Sequence, residues 1–432
     1  MVTACTANFR AFLVAITVQL LRPHYRAAFS LPERKLPGTS NCLVFITRMI
    51  STIQQQFSTY FSGAPLLVRA PGRINLIGEH TDYNKGLVFP AAINREMQFA
   101  MAASGDADQC SVVALDLNEQ YNFRLSELAP LSPNSWQNYI MGVVHELRAA
   151  GYKPAGFNLV FTSNIPPGAG LSSSAALECG TCFGLNRLFS LGLDKMKRVK
   201  ISQRAEHHYT GVQCGIMDQF ASTMGVANRA MLLDCKTLDY NYFPLDLQRY
   251  SLVLCDSGVK HELAHSEYNQ RRLECREGVD ILSRTFPDIA SLRDASVEQL
   301  NTVKHAMPET IYRRCQYVLE ENRRVTQFAA ALEAGNLLMA GNLMKAAQKG
   351  MREKYEITCP EINFMANFAN AYQDVAGSRM MGGGFGGCTL NLVRKGKEEA
   401  FITALNQQYA REFTRHIAPF PVAIANGVTE LN

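Results

Sequence analysis

Long apolar runs, paired cysteines and a surplus of charge in the body of the chain are what this sequence of 432 residues has little of. The run from Ala11 to Leu21, after Arg10, is too short to span a bilayer, which takes about 20 apolar residues. The twelve cysteines are scattered without framework spacing. A chain this size needs no covalent staples, so they point to a reducing, cytoplasmic setting. The formal net charge is +5, and the first 48 residues hold all of it, with Arg10, Arg22, Arg26, Arg34, Lys35 and Arg48 facing Glu33 alone. The remainder is neutral. That argues against a nucleic-acid partner or an anionic membrane, because counterion release needs clustered Lys and Arg. The pairs Arg271-Arg272, Arg313-Arg314 and Arg323-Arg324 sit in helical stretches beside acids and read as solvated faces. No Walker-type GxxxxGK[ST] loop, internal repeat or Gly/Ser-rich linker occurs.

What is present suits a two-domain globular protein, with 47% apolar and 19% charged residues, since single cores seldom grow past about 300 residues. Residues 1–48 read as a mis-called start or a disordered extension, with a targeting peptide as the alternative. An amphipathic segment, Ile53 to Tyr60, follows. Strand signals at Leu66 to Arg69, Phe157 to Phe161, Met231 to Leu233 and Leu252 to Leu254 alternate with helical periodicity. Helices are expected over Trp136 to Ala150, Asp194 to Tyr209 (capped by Asp194 and ending at Gly211), Glu262 to Phe286, and Pro308 to Gly350. The fold class is α+β. We place the boundary near residue 235, giving domains at 49–235 and 236–432 with a site in the cleft between them.

Residues 69–94, RAPGRINLIGEHTDYNKGLVFPAAIN, gather Arg73, Glu79, His80 and Asp82 among turn-forming glycines in otherwise apolar surroundings. Charged side chains enter such surroundings paired or facing a ligand, so the segment reads as a polar pocket for something rich in hydroxyls, and not as a core strand. A sugar fits. A second segment, NIPPGAGLSSSAALE, sets Gly168, Ala169, Gly170 and Leu171 before Ser172, Ser173 and Ser174 at the start of a helix. Backbone N–H groups at a helix N-terminus, with hydroxyls beside them, form a phosphate cradle. The cluster GGGFGG, residues 382–387, formally satisfies GxGxxG but runs into the alternating strand pattern CTLNLV instead of a helix. It is therefore a turn, or a loop that supports the phosphate loop. In QCGIMDQF, Asp218 follows Gly215 in an apolar stretch, where it needs a cation such as Arg73 to stay ionised. It then holds or deprotonates a hydroxyl, or else is a structural carboxylate. Glu206, beside His207 and His208, is open between metal ligation and a solvated helix face. The lone CxxC, Cys179 and Cys182, reads as helix packing.

Taken in order, GRINLIGEHTDYN, PPGAGLSSSAALE, CGIMDQF and GGGFGGCTL resemble the galactokinases, a branch of the GHMP kinase superfamily, from about Phe57 to the C-terminus. The resemblance implies an N-terminal domain with a mixed sheet and a ferredoxin-like C-terminal domain. It implies ATP-dependent phosphorylation of α-D-galactose at the C1 hydroxyl. By motif, Arg73, Glu79, His80, Asp82, Gly215, Asp218 and Tyr268 would surround the sugar, with Asp218 as base and Arg73 as its partner. Gly168 to Ser174 would cradle ATP, Ser174 and Glu206 would hold Mg²⁺, and Trp136 would line the adenine pocket. The expected protein is a monomer with small-molecule partners only. A kinase for N-acetylgalactosamine or arabinose, or a galactose sensor without turnover, are the rival expectations.

Overall fold

A computed structural model describes residues 53–132, 135–259 and 264–431. The leader, with its competing readings, lies outside them. The amphipathic segment forms a helix over residues 53–60. Ile53 and Phe57, one turn apart, bury against Ala100, Val113 and Val160, as the helical repeat requires.

The larger sheet has six strands in the order β13-β1-β3-β6-β4-β5. They are β1 (Leu66–Asn75), β3 (Pro90–Ala103), β4 (Gln109–Ala114), β5 (Glu119–Arg124), β6 (Phe157–Ser163) and β13 (Thr429–Glu430). Only β4 and β6 run parallel, so the sheet is mixed. The helix Ser173–Leu188 lies across β1 and β3 and packs in turn on Gln137–Ala149 and Lys195–Ala205. A small sheet, β2 (Leu87–Val88), β7 (Arg229–Asp234) and β8 (Tyr240–Pro244), follows the sugar-like motif.

The remaining sheet has the order β10-β11-β9-β12, from β9 (Tyr250–Asp256), β10 (Val375–Met380), β11 (Cys388–Arg394) and β12 (Ala418–Val422), with every pairing antiparallel. Helices connect β9 to β10 and β11 to β12, which is the split βαβ arrangement of ferredoxin-like folds. One apolar cluster runs through both large sheets, joining Val68, Ile74 and Phe99 to Leu252, Leu390 and Val428. The chain end also returns, since β13 pairs with β1. Residues 49–432 accordingly form one compact unit.

Two expectations are corrected here. Residues 69–75 are not merely pocket: they continue β1, which is buried along most of its length. The pairing with β3 slips between Pro71 and Arg73. Such a bulge tolerates a proline and re-aims the side chains around it; beyond it Arg73 pairs with Ala92 and its side chain reaches Asp218. The arginine pairs are also not wholly solvated, because Arg271 and Arg314 are buried. Neighbouring helical residues point about 100° apart, so one member of each of these two pairs turns inward. Arg271 donates to the carbonyls of Tyr355 and Glu356, and Arg314 to Lys354, Glu274 and Glu356. Together they satisfy carbonyls left open where the π-helical turn Met351–Tyr355 ends.

The helix Lys195–Ala205 matches its signals closely. Asp194 accepts from the Lys197 N–H at 2.8 Å, and the chain leaves through a π-helical turn, Glu206–Thr210, capped by Gly211 at φ 75°. The site is built around that exit.

Candidate active site

The loop after β1 carries Glu79, His80 and Asp82, all buried. Glu79 is held on three sides. Asn75 donates to Oε2 at 2.8 Å, while Arg379 and the N–H of Gly382 each approach Oε1 at 2.9 Å. Arg379 is itself fully enclosed and also donates to the Asn75 carbonyl, so Glu79 is its buried counter-charge. His80 meets Tyr83 through Nδ1 at 2.6 Å and the Gly383 carbonyl through Nε2 at 3.0 Å. Tyr268, on the helix Ala264–Thr285, sets its ring 5.0 Å from that of His80. The long helix Glu309–Glu333 braces the loop from behind, with Glu321 accepting from the Gly78 N–H and Asn322 from the Leu87 N–H.

Asp82 leaves no room for a side chain at residue 215. A Cβ on Gly215 would lie 1.8 Å from Asp82 Oδ2, so a glycine there is a packing requirement set by this carboxyl. Burial first, and then the charges of Asp218 and Glu79, push the Asp82 carboxyl up to about 7.

Across the pocket lies the loop 168–172. Gly170 and Gly382 stack back to back, and a Cβ on Gly382 would meet the Gly170 Cα at 3.2 Å. The glycine-rich segment 382–387 therefore underlies the phosphate-type loop, and at φ 88° Gly382 takes a conformation that glycine adopts most readily. Ser172 is forced to φ 58°, a strained conformation for a side chain of its kind. Its hydroxyl donates to Asp218 Oδ2 at 2.5 Å. Arg73 grips the same carboxylate with Nε at 2.8 Å and Nη2 at 3.0 Å, and gives Nη1 to the Gly170 carbonyl at 2.6 Å. Such a two-pronged pair fixes Asp218 in both distance and plane. The helix Ser173–Leu188 begins immediately after, so its free N–H groups and dipole face the same space.

Glu206 is buried, not on a solvated face. It accepts from Gln219 Nε2 at 2.6 Å and from the Cys214 thiol, and the Ser174 hydroxyl also bonds to it. Gln219 Nε2 reaches Glu178 as well, at 2.9 Å. Glu178 is fully buried with Oε1 unpartnered. Burial, and next the Asp218 charge, push the Glu206 carboxyl up to about 7, while burial and Glu206 raise Glu178 well above the usual carboxylate range. Acids crowded this way, with an orphaned oxygen and only a neutral amide between them, fit a corner that accepts a cation. Among the described residues no three His, Cys, Asp or Glu side chains gather to hold an ion alone. An ion here would complete its shell with phosphate oxygens, as Mg²⁺ commonly does. His207 and His208 diverge, toward the Cys214 carbonyl and Glu146 respectively.

Of the residues singled out from sequence, Arg73, Asp218, Gly170 and Ser172 meet directly. Glu79 and His80 meet the glycine loop, Asp82 meets Gly215, and Ser174 meets Glu206. Ala169 and Leu171 are buried beneath the loop, and Gly168 turns it at φ 78°. Ser173 opens the helix. Trp136 has other contacts: its N–H donates to Glu119 and its ring meets Phe161 edge-on, 5.4 Å between centroids. The sequence reading overlooked Arg379, Glu178, Gln219, Tyr83 and Tyr355. Glu178 and Gln219 lie within the quoted motifs, and Arg379 stands in an apolar run just before the glycine cluster, which is a readable signal for a buried counter-ion. The ten described cysteines are all free, and Cys179 and Cys182 are buried.

Known proteins resemble this chain. Residues 55–103 match the galactokinase galactose-binding signature, residues 138–226 the GHMP kinases N-terminal domain and residues 328–411 the GHMP kinases C-terminal domain. A galactokinase of Roseiflexus sp. is 42% identical over 83% of this chain and 91% of its own length. One from Thermotoga neapolitana is 39% identical over 84% and 99%. The structure superimposes on the Lactococcus lactis galactokinase complexed with galactose at a TM-score of 0.85 and 34% identity, covering 89% of this chain and 100% of that one. Methanococcus jannaschii mevalonate kinase, at 17% identity and a TM-score of 0.61 over 85% of this chain and all of the other, shares the fold.

Proposed function

The chain belongs to the galactokinase family of the GHMP kinases, and from that premise we propose how its residues carry out the reaction. It is an ATP-dependent sugar kinase that phosphorylates galactose, forming galactose 1-phosphate and ADP. The observation that carries the assignment of roles is Asp218, held by Arg73 from β1 and by Ser172 from the phosphate loop. One carboxylate thus touches both halves of the site.

In this reading Asp218 accepts the proton of the sugar C1 hydroxyl as that oxygen attacks, and Arg73 keeps the carboxylate aimed. Glu79, His80, Asp82, Gly215 and Tyr268 form the sugar wall. Buried polar groups of this kind reject a sugar lacking the matching hydroxyl, because they would be left unpaired. The N–H groups of 168–174 take the ATP phosphates, and Trp136 lines the nucleotide side. Ser174 and Glu206 hold Mg²⁺, which when bound draws off charge from the phosphate oxygens. Positioning and charge stabilisation are what such a transfer needs most. Residues 49–235 supply most of these groups, and residues 236–432 supply Tyr268 and the glycine loop. We further propose a cytoplasmic monomer. No described helix is long and apolar enough to cross a membrane.

ADP release tests the reading. With Mg-ATP, the full chain should release ADP on adding galactose and not on adding glucose. Equal turnover of the two would remove the specificity claim. Galactose binding without ADP release would leave a sensor.

A further inference from the structure

His207, from the π-helical turn Glu206–Thr210, and Arg272, from the helix Ala264–Thr285, close on the same short stretch of chain, the one that leads into Gly215. Residues 211–216 have no helix or strand to hold them. His207 Nε2 lies 2.8 Å from the Cys214 carbonyl, which can only accept, so that nitrogen carries a proton. Gln203, one helical turn earlier and on the same face, donates to the same oxygen at 3.3 Å. Glu206 takes the Cys214 thiol. Arg272 Nη1 donates to the preceding carbonyl, that of Gln213, at 2.7 Å, and it shares a helix face with Tyr268, four positions before it. The helix that supplies one wall of the sugar site therefore also grips the chain beside it.

Peptide geometry converts these grips into an orientation. A trans peptide is planar, with its C=O and N–H pointing to opposite sides, and no described peptide bond is cis. Holding the Cys214 carbonyl thus fixes the Gly215 N–H on the far side, and holding that of Gln213 fixes the Cys214 N–H. Gly215 is buried, and the place of its missing Cβ is taken by the Asp82 carboxyl, so it can offer a sugar nothing but backbone. Asp82 and Asp218 offer acceptors there when ionised, whereas this N–H is a donor. A donor serves recognition only when aimed.

We propose that His207 and Arg272 are positioning residues: by holding the carbonyls of Cys214 and Gln213 they aim the Gly215 N–H at one hydroxyl of the sugar. In this role neither side chain has to touch the substrate. The proposal rests on the galactose reading of the site.

Binding of galactose to the full chain, by calorimetry without nucleotide or Mg²⁺, tests it apart from any role of Glu206. His207→Phe, which keeps a ring and removes the donor, should weaken galactose about 5- to 30-fold, the range for one buried hydrogen bond lost. His207→Gln, whose amide can reach the same carbonyl, should recover most of that loss. Arg272→Met should weaken binding by less, because Gln203 and His207 still hold the next carbonyl. The deciding readout is a set of galactoses each lacking one hydroxyl. In His207→Phe the penalty for a single one of these sugars should shrink, by about the factor lost with galactose itself, because that hydroxyl and the N–H form one pair. The same hydroxyl should respond in Arg272→Met, whose side chain is only half-buried. Equal weakening of every sugar, or a His207→Gln as poor as His207→Phe, overturns the proposal. A wild-type chain that binds no galactose would instead sink the functional reading, and the proposal with it.

Discussion

The proposed sugar wall and the acidic corner around Glu206 lie on either side of Asp218, yet their polar groups are satisfied very differently. In the sugar wall, Glu79 is matched by Arg379, Asn75 and the Gly382 N–H, and His80 has a partner at each nitrogen. In the corner, Glu206 and Glu178 share the amide of Gln219, and one oxygen of Glu178 has no partner. The first is finished by folding. The second is built at the expense of the ligand-free fold and suits a site that charge will enter later. Preorganised donors and acceptors cost nothing at the moment of reaction, whereas crowded carboxylates raise one another's affinity for protons or cations.

The largest expected effect falls where the two regions meet. Asp218→Ala should lower kcat by about 10²- to 10⁴-fold while galactose affinity, by calorimetry, stays within roughly tenfold. Substantial remaining turnover would take the base role from Asp218. Next comes a pair of substitutions that separates the regions by sign. Glu79→Gln strips the counter-charge from the enclosed Arg379 and should destabilise by about 3–5 kcal/mol in urea unfolding. Glu206→Gln relieves repulsion, so the ligand-free protein should unfold at the same or higher urea while Mg²⁺ activation weakens. Equal losses in both would erase the contrast.

The smallest effect is a pH slope. Asp82 and Glu206, both raised to about 7, bind protons more tightly folded than unfolded, where carboxyls titrate near about 4. Their stabilising contribution is complete below the unfolded value and is lost as pH rises through about 7. Ligand-free protein should thus be more stable at pH 6 than at pH 8, by on the order of 1–2 kcal/mol. Glu206→Gln should flatten part of that slope, and an opposite slope would show that neither acid is raised.

Local features were legible in the chain because their causes are local. Asp194 before a helical period and Gly211 after it mark a cap and a terminator wherever they occur. GAGLSSS announces a bared backbone and a helix start without reference to anything distant. Arg271 and Arg314 were misread for the opposite reason, since a charged residue looks solvated until its partner, here Glu274 or the carbonyl of Tyr355, is known. Why residue 215 is a glycine shows only once Asp82 is seen occupying the place of its missing side chain. The bulge at Pro71 likewise has no signature except the strand beside it.

By itself, then, the sequence determined the chemistry on offer: which residues can accept protons, bare their backbone or carry charge, and where helices begin. Tertiary structure alone decided the pairings, Glu79 with Arg379 some 300 residues away, Arg73 with Asp218, and Gly170 against Gly382. Burial strengthens such contacts by removing competing water, and no residue type encodes which distant partner will share its cavity.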